Sequence, residues 1–433
     1  MTKTVSYETV VFVKTPIPKL QDDKLEPDMG LLYVASYLKR HIHSIKTIYI
    51  DLSIDSLSDL LFYAKSCNFF CFSTYTANYN LTSEIVSMLR KETGKDAVFV
   101  AGGHHASALP EEVLRDFDYV IIGEGEKALL QLIKDLVQGK TVVKKTIVGE
   151  CIECLDDVGW IDYSMVKMDK YTRTVNGQKS ISILTSRGCP YRCNFCNSYL
   201  MKTYKTVRFR SAKDVFEEVI SLNKRFGITS FRIQDDIFSI NKPRLRELAE
   251  LFEPFQFSFR CFARIDNINE EILEYYKKIG IFHLSFGVES GSQKILNLMN
   301  KGITVNQIRE SILLSKKNGF KCRVYLIAGY PGETEETIDE TIELMKEVCP
   351  DDLSIYPLIP YPGTPLFHNP QAFNITYIDK DYSKYYQVFG NKNSGYVFET
   401  KDMSIDGLKH FRQKLVDGLA NICPWAIDDE QNR

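Results

Sequence analysis

Three cysteines constrain this chain more than any other feature. Cys189, Cys193 and Cys196 stand at i, i+4 and i+7 within Leu184-Thr185-Ser186-Arg187-Gly188-Cys189-Pro190-Tyr191-Arg192-Cys193-Asn194-Phe195-Cys196. The preceding run, Ile181-Ser182-Ile183-Leu184, alternates and is β-branched, which predicts a strand feeding a loop. Gly188 and Pro190 flank the first cysteine and argue against a helix continuing through it. A short loop with three thiolates can wrap one compact inorganic centre, and thiolate ligation is what iron–sulfur clusters require. A cubane has four irons, so three ligands leave one iron open to something else. The alternatives are a zinc site or plain buried thiols. Structural zinc wants four protein ligands, and no histidine lies between His105 and His283 to complete a local site.

The 433 residues suffice for two or three domains with large cores. Apolar and charged fractions are ordinary for a globular protein. A net charge of −2 without a long run of Lys or Arg disfavours nucleic acid or an anionic membrane as partner. Eleven cysteines without a secretory leader point to a reducing compartment and to metal or redox chemistry. The early apolar run, Val10-Val11-Phe12-Val13, is too short for a signal-peptide core, and no run is long enough to span a bilayer. The expected location is cytoplasmic.

Before the cysteine loop, strand and helix alternate. Strands are predicted at Thr9–Lys14, Ser44–Asp51, Phe69–Ser73, Ala97–Ala101 and Tyr119–Ile122. Helices are predicted at Gly30–Leu38 behind the start signal Pro27-Asp28, at Ser83–Glu92 and at Lys127–Val137. This pattern predicts an α/β, doubly wound, flavodoxin-like (Rossmann-type) domain over residues 1–140. Ligands of such sheets sit at the carboxyl ends of the strands, where Ser73, Thr74, Gly102, Gly103, Gly123 and Glu124 fall. Residues 141–180 lack clean periodicity and read as a linker, its Cys151-Ile152-Glu153-Cys154 as two ordinary thiols.

After the loop the alternation resumes, with strands at Ser230–Ile233, Phe257–Phe262, Leu284–Ser290, Lys321–Ala328 and Asp352–Leu358. Helices are predicted at Val215–Phe226, Pro243–Phe252, Glu271–Ile279, Val305–Asn318 and Glu335–Val348. Six β-α units predict a partial (β/α)6 TIM-type barrel over 181–370, with its chemistry at the strand carboxyl ends. The cysteine loop, Asp235-Asp236, Glu289-Ser290 and Gly329-Tyr330-Pro331-Gly332 all occupy such ends. Residues 371–433 form a small, aromatic, helical C-terminal extension, with one helix at Ser404–Leu419.

The CxxxCxxC spacing, with Phe195 before the last cysteine, resembles the signature of the radical S-adenosylmethionine (SAM) superfamily. Pro27-Asp28-Met29-Gly30-Leu31-Leu32-Tyr33, Gly102-Gly103-His104-His105-Ala106 and Gly123-Glu124-Gly125-Glu126 resemble the cobalamin-binding domain fused to many of those enzymes. The resemblance implies a [4Fe-4S] cluster on Cys189, Cys193 and Cys196, with SAM chelating the open iron and breaking to methionine and a 5′-deoxyadenosyl radical. It implies that Asp235 and Asp236 hold the methionyl amino group, that Glu289 with Ser290 binds the ribose, and that Phe195 packs by the adenine. It implies cobalamin against Ser73, Thr74, Gly102, Gly103, His105, Gly123 and Glu124. The loop after the first strand, Lys14 to Asp22, has no histidine to ligate cobalt, unlike the mutase-type domains. Arg264 is a weaker candidate for binding the SAM carboxylate or a substrate anion, and Tyr356 and Tyr361 for contacts at the radical site.

The implied reaction is methylation of an unactivated centre in a small molecule or peptide, fed by a one-electron reductant such as flavodoxin or ferredoxin. The alternative keeps the radical step, as a rearrangement, dehydration or dehydrogenation, with the N-terminal domain empty. Methylthiolation of transfer RNA expects cluster cysteines in the N-terminal domain and a basic tail. Here Cys67 and Cys71 sit around the apolar third strand and the tail is not basic.

Overall fold

The computed structural model describes residues 8–18, 23–197, 207–386 and 395–422. Lys19–Asp22, part of the loop searched for a cobalt-ligating histidine, lie outside the described residues. The chain forms two compact units, one running through Thr172 and including Asp381–Tyr386, the other made of the remaining described residues from Arg173 onward.

The first unit is built on a parallel sheet of six strands: β1 Thr9–Lys14, β2 Lys46–Asp51, β3 Phe69–Ser73, β4 Val98–Gly102, β5 Tyr119–Ile122 and β6 Thr146–Val148. Their order is β2-β1-β3-β4-β5-β6, the doubly wound arrangement expected, with its reversal between β1 and β3. All five residues of β3 are buried, because helices cover both faces and a strand so enclosed must be apolar on both sides. Asp28 caps the helix Met29–His41, accepting from the Leu31 N–H at 2.8 Å. The helix Leu57–Ala64, closed by a Ser56–Asp59 capping box, was not legible from periodicity. The stretch read as a linker is divided: it supplies β6 and packs in the first unit through Thr172, and from Arg173 it belongs to the second.

The second unit holds a seven-stranded curled sheet. Its strands are β7 Thr174–Val175, β8 Gln178–Ile183, β11 Ser230–Ile233, β12 Ser258–Ala263, β13 Ile281–Glu289, β14 Lys321–Ala328 and β15 Asp352–Pro357; the short strands β9 Ser186–Arg187 and β10 Arg208–Phe209 pair apart from it. From β8 to β15 the neighbours are parallel and follow chain order, and β7 adds an antiparallel edge. One face of each strand is apolar and packs on helices. Phe231 and Phe259 stack there with centroids 5.4 Å apart, and Phe252 of the helix Lys242–Phe252 meets Phe259 at 5.2 Å. The small helical extension has its expected helix and some strand besides. It contains an antiparallel pair, β16 Ile375–Ile378 and β17 Phe398–Thr400, besides the helix Ile405–Leu419. Its Phe398, Met403 and Leu408 join Tyr330, Leu358 and Leu366 in one apolar cluster, against which Phe195 packs. No described helix is long and apolar enough to cross a membrane.

Close packing behind β13 leaves no room for a methyl group at Gly291, where a Cβ would lie 2.5 Å from Thr341 Cα. Gly291→Ala is expected to lower stability in urea melts by about 1–3 kcal/mol, as overpacking against backbone does.

Candidate active site

The entry to the cysteine loop is fixed by buried charge. Asp235, at the exit of β11, is 1% exposed. It accepts from the Thr185 N–H at 2.6 Å, from the Thr185 hydroxyl and from Ser186 Oγ at 2.6 Å. Burial pushes its carboxyl pKa up; Arg244 and these donors pull it down. Arg244 donates to the carbonyls of Arg210 (2.6 Å) and Thr185 (3.0 Å), and Arg210 to that of Leu184 (2.9 Å) while pairing with buried Glu218 at 2.6 Å. The backbone on either side of Leu184 is thereby gripped before the first cysteine. This corrects the role implied for Asp235: three of its roughly four acceptor positions are spent on the loop rather than offered to a ligand. Asp236 is exposed, and its charge reaches the Cys189 thiol.

The loop's far side is held by the turn Leu298–Lys301. Asn194 donates its backbone N–H to Met299 O (2.9 Å) and its side-chain amide to Leu298 O (3.0 Å). Asn300, at φ 52°, returns a bond to Arg192 O at 2.8 Å, and the Tyr330 hydroxyl donates to Leu298 O at 3.0 Å. Arg264 lies 3.5 Å over the Tyr191 ring and pairs with Asp266 at 2.7 Å. Cys193 is buried, Cys189 and Cys196 are partly exposed, and all three are free thiols. Burial first, then Asp236 and the two neighbouring sulfurs, raise the Cys189 pKa to about 11. Among the described residues no three His, Cys, Asp or Glu side chains converge tightly enough for a single metal ion. The donor set is soft thiolate spread along one loop, which fits a cluster better than one ion.

Glu289 ends β13 in a left-handed conformation, φ 70°, which a side chain adopts only when its surroundings enforce it. Its carboxylate is 2.9 Å from Lys301 Nζ, and that ammonium also stands 5.6 Å over the Phe195 ring. A Cβ at Gly287 would lie 2.6 Å from Glu289 Oε1, so a larger residue there would displace the carboxylate from its present position. Turn, carboxylate and cysteine loop are thus one assembly. Ser290 faces away from it: its hydroxyl lies 3.3 Å from Thr341 Oγ1 and accepts from Ser292 N–H at 3.1 Å. Sequence reading missed Thr185, Arg210, Arg244 and Lys301, since an arginine on an amphipathic helix or a lysine in a turn carries no signal of its partner.

In the first unit, most of the expected side chains serve the fold. Thr74 Oγ1 donates to Gly102 O at 2.9 Å and accepts from Ala106 N–H at 3.1 Å. Glu124 accepts from Ile152 N–H at 3.1 Å, and Gly123 donates to Ser107 Oγ at 3.0 Å. His105 is fully buried, with Nδ1 3.2 Å from Thr76 Oγ1 and its ring 4.3 and 4.8 Å from Tyr79 and Tyr382. Burial lowers its pKa to about 4, keeping it neutral. It is a core residue here, not one exposed to a corrin. The two glycines at the end of β4 present bare backbone. Among the described residues a Cβ on Gly102 would meet nothing within 4 Å, whereas one on Gly103, at φ 93°, would lie 2.9 Å from the Thr74 carbonyl oxygen.

Two outcomes follow. Asp235→Asn presents an amide to donors that need an acceptor; it is expected to cost about 3 kcal/mol and to lower the iron bound per chain after reconstitution, whereas Asp236→Asn changes urea stability by no more than about 0.5 kcal/mol. Glu333 is buried and accepts from the Gly329 N–H at 2.5 Å, and burial raises its pKa from 4.5 to about 8. Between those values the unfolded chain gives up a proton that the folded chain keeps, so stability falls as pH rises from 4.5 to 8. Thermal melts across that window are expected to drop by of order 1 kcal/mol per pH unit, and Glu333→Gln to flatten the dependence.

Two family models match the chain: the radical SAM superfamily over residues 183–345 and the B12 binding domain over residues 23–133. An uncharacterized methyltransferase of Pyrococcus horikoshii is 29% identical over 81% of this chain and 79% of its own. An anaerobic magnesium-protoporphyrin IX monomethyl ester cyclase of Rubrivivax gelatinosus is 26% identical over 79% of this chain and 66% of its own. Among solved structures, the fold is similar to that of the radical S-adenosylmethionine methyltransferase TsrM of Kitasatospora setae with cobalamin and a [4Fe-4S] cluster bound: TM-score 0.70, 17% identity, 98% of this chain and 90% of that one. The cobalamin-dependent radical enzyme OxsB follows at 0.65 and 18%, over 89% of this chain and 59% of that one. With the three-cysteine loop on a curled parallel sheet and a doubly wound domain ahead of it, the chain belongs to the radical SAM enzymes that carry a cobalamin-binding domain.

Proposed function

We propose that this protein methylates an unactivated centre of a small molecule or peptide. One observation carries the reading: a B12-binding domain stands immediately before the radical SAM domain in one chain, as the family models place them. When bound, the [4Fe-4S] cluster and SAM supply a hydrogen-abstracting radical and cobalamin supplies the methyl group. The chain's own work is placement. Cys189, Cys193 and Cys196 hold the cluster, on a loop whose entry is set by Asp235 and whose exit is set by Leu298–Lys301. Glu289 accepts from the ribose hydroxyls, with Lys301 holding its carboxylate in place; Asp236 adds negative charge where a sulfonium compound docks. Phe195 offers an aromatic face for the adenine. Gly102 and Gly103 give the corrin a bare backbone floor, and no histidine between Lys14 and Asp22 competes for cobalt. The reductant is a flavodoxin or ferredoxin, and the setting is the cytoplasm.

The cyclase relative supports a second reading, in which the radical step runs without methyl transfer. Mass spectrometry of products formed from SAM and a reductant separates the two. 5′-Deoxyadenosine together with S-adenosylhomocysteine is expected, and Cys193→Ala is expected to abolish both. Deoxyadenosine alone replaces the first reading with the second; neither product from cluster-loaded protein overturns both.

A further inference from the structure

We propose that the inner face of the curled sheet, toward the amino ends of its strands, binds an oxyanion of the substrate, a carboxylate or a phosphate-type group, through Arg260 and Arg323. The inference deepens the reading above and rests on it for the existence of a substrate.

Alternation along the strands sorts the two faces. Phe231, Phe259, Leu284 and Val324 are buried toward the helices. The residues next to them, Arg232, Arg260, Ser285 and Arg323, project from the other face. Register sets these side by side: Arg232 opposes Arg260, and Ser285 opposes Arg323. Arg260 donates to Ser285 Oγ at 3.1 Å and to the Tyr325 hydroxyl at 3.0 Å; Arg323 lies 3.4 Å from Asp352. Arg260 is 6% exposed and Arg323 3%.

Like charges on adjacent strands repel, and burial magnifies the repulsion. Its imprint is visible on both neighbours. The Arg260 pKa is lowered to about 10, by burial first and then by Arg323, Arg232 and Arg173, with Tyr325 opposing. The Tyr325 phenol is pulled below its ordinary value, because Arg260 and Arg323 outweigh its burial. The potential at this spot is therefore positive, and the phenol oxygen stands where it would favour negative charge. On the same face, the buried Ser180 hydroxyl has no hydrogen-bond partner among the described residues. It neighbours this layer, since Ser180 opposes Ser230 and Ser182 opposes Arg232. A sheet that needed only filling would place apolar side chains here. Guanidinium forks suit planar or tetrahedral oxyanions, which they bind in pairs of parallel bonds.

Position then constrains substrate shape. Arg260 lies three residues before the end of β12 and Arg323 five before the end of β14. At about 3.3 Å per residue the anion sits roughly 10–16 Å along these two strands from their carboxyl ends, the edge of the sheet at which β11 and β13 carry the candidate SAM residues. The substrate class is an elongated molecule, anionic at one end and reacting at the other.

The test is calorimetric titration of the cluster-loaded protein with inorganic phosphate and, separately, with acetate, at ionic strength matched with sodium chloride. Saturable binding of at least one is expected, and which one binds identifies the phosphate-type or the carboxylate source. Arg260→Gln and Arg323→Gln are each expected to weaken it about tenfold or more, and Lys at either position to recover part of the loss. Binding of neither anion by the unaltered protein overturns the proposal, as does affinity unchanged in both Gln variants. If the Gln variants do not fold, the Lys variants decide: equal affinity to the unaltered protein removes the role of the fork. Formation of deoxyadenosine from SAM is read in parallel on the unaltered protein. Cleavage without anion binding sinks this inference alone, and anion binding without cleavage sinks the reading of the function instead.

Discussion

A single buried carboxylate organises the second unit. Asp235 sits where β11 ends, fully enclosed, and spends its oxygens on the two residues that lead into the cysteine loop. Ionised and alone it would be ruinous in that environment. Three donors and Arg244 stabilise it, and Arg244 with Arg210 holds the adjoining carbonyls in turn. Because every one of these groups is buried, none can move without leaving another unsatisfied. A loop that must hold three thiolates at fixed mutual positions inherits its geometry from that network rather than from its own seven-residue spacing.

The second anchor is the turn after the short helix Gln293–Leu298. Its carbonyls receive Asn194 and Tyr330, its Asn300 reaches back to Arg192, and its Lys301 binds Glu289. One four-residue turn therefore sets the separation between the cysteine loop and the carboxylate at the end of β13. Lys301 also touches the face of Phe195, so the aromatic side chain beside the last cysteine and the ion pair restrain each other. A chain with Glu289 but without this lysine would bury an uncompensated charge beside the site.

Much of this was legible beforehand, for identifiable reasons. Thr9–Lys14, Phe69–Ser73, Tyr119–Ile122, Ser230–Ile233, Lys321–Ala328 and Glu335–Val348 end where their periodicity does, because two-layer burial imposes a strong pattern. The helix Leu57–Ala64 and the strand Thr146–Val148 escaped notice. The first is short, and the second borrows its strand identity from pairing with β5. Site residues divided the same way: the cysteines, Asp236 and Glu289 stand at strand ends as read, whereas Asp235, Ser290, Thr74, Glu124 and His105 are engaged within the fold. A strand-end position tells that a residue is near the chemistry, not which way its side chain turns.

Local information in the chain determined the alternation of strand and helix, the order of the two domains and the cysteine loop, because spacing and polarity are properties of neighbouring residues. Only the tertiary structure decided which acids are inward and which outward, that Lys301 meets Glu289, and that three arginines on separate strands share one face. Those pairings join residues 12 to 91 positions apart, and register across a sheet is set by the packing of whole elements, which no single stretch of sequence encodes.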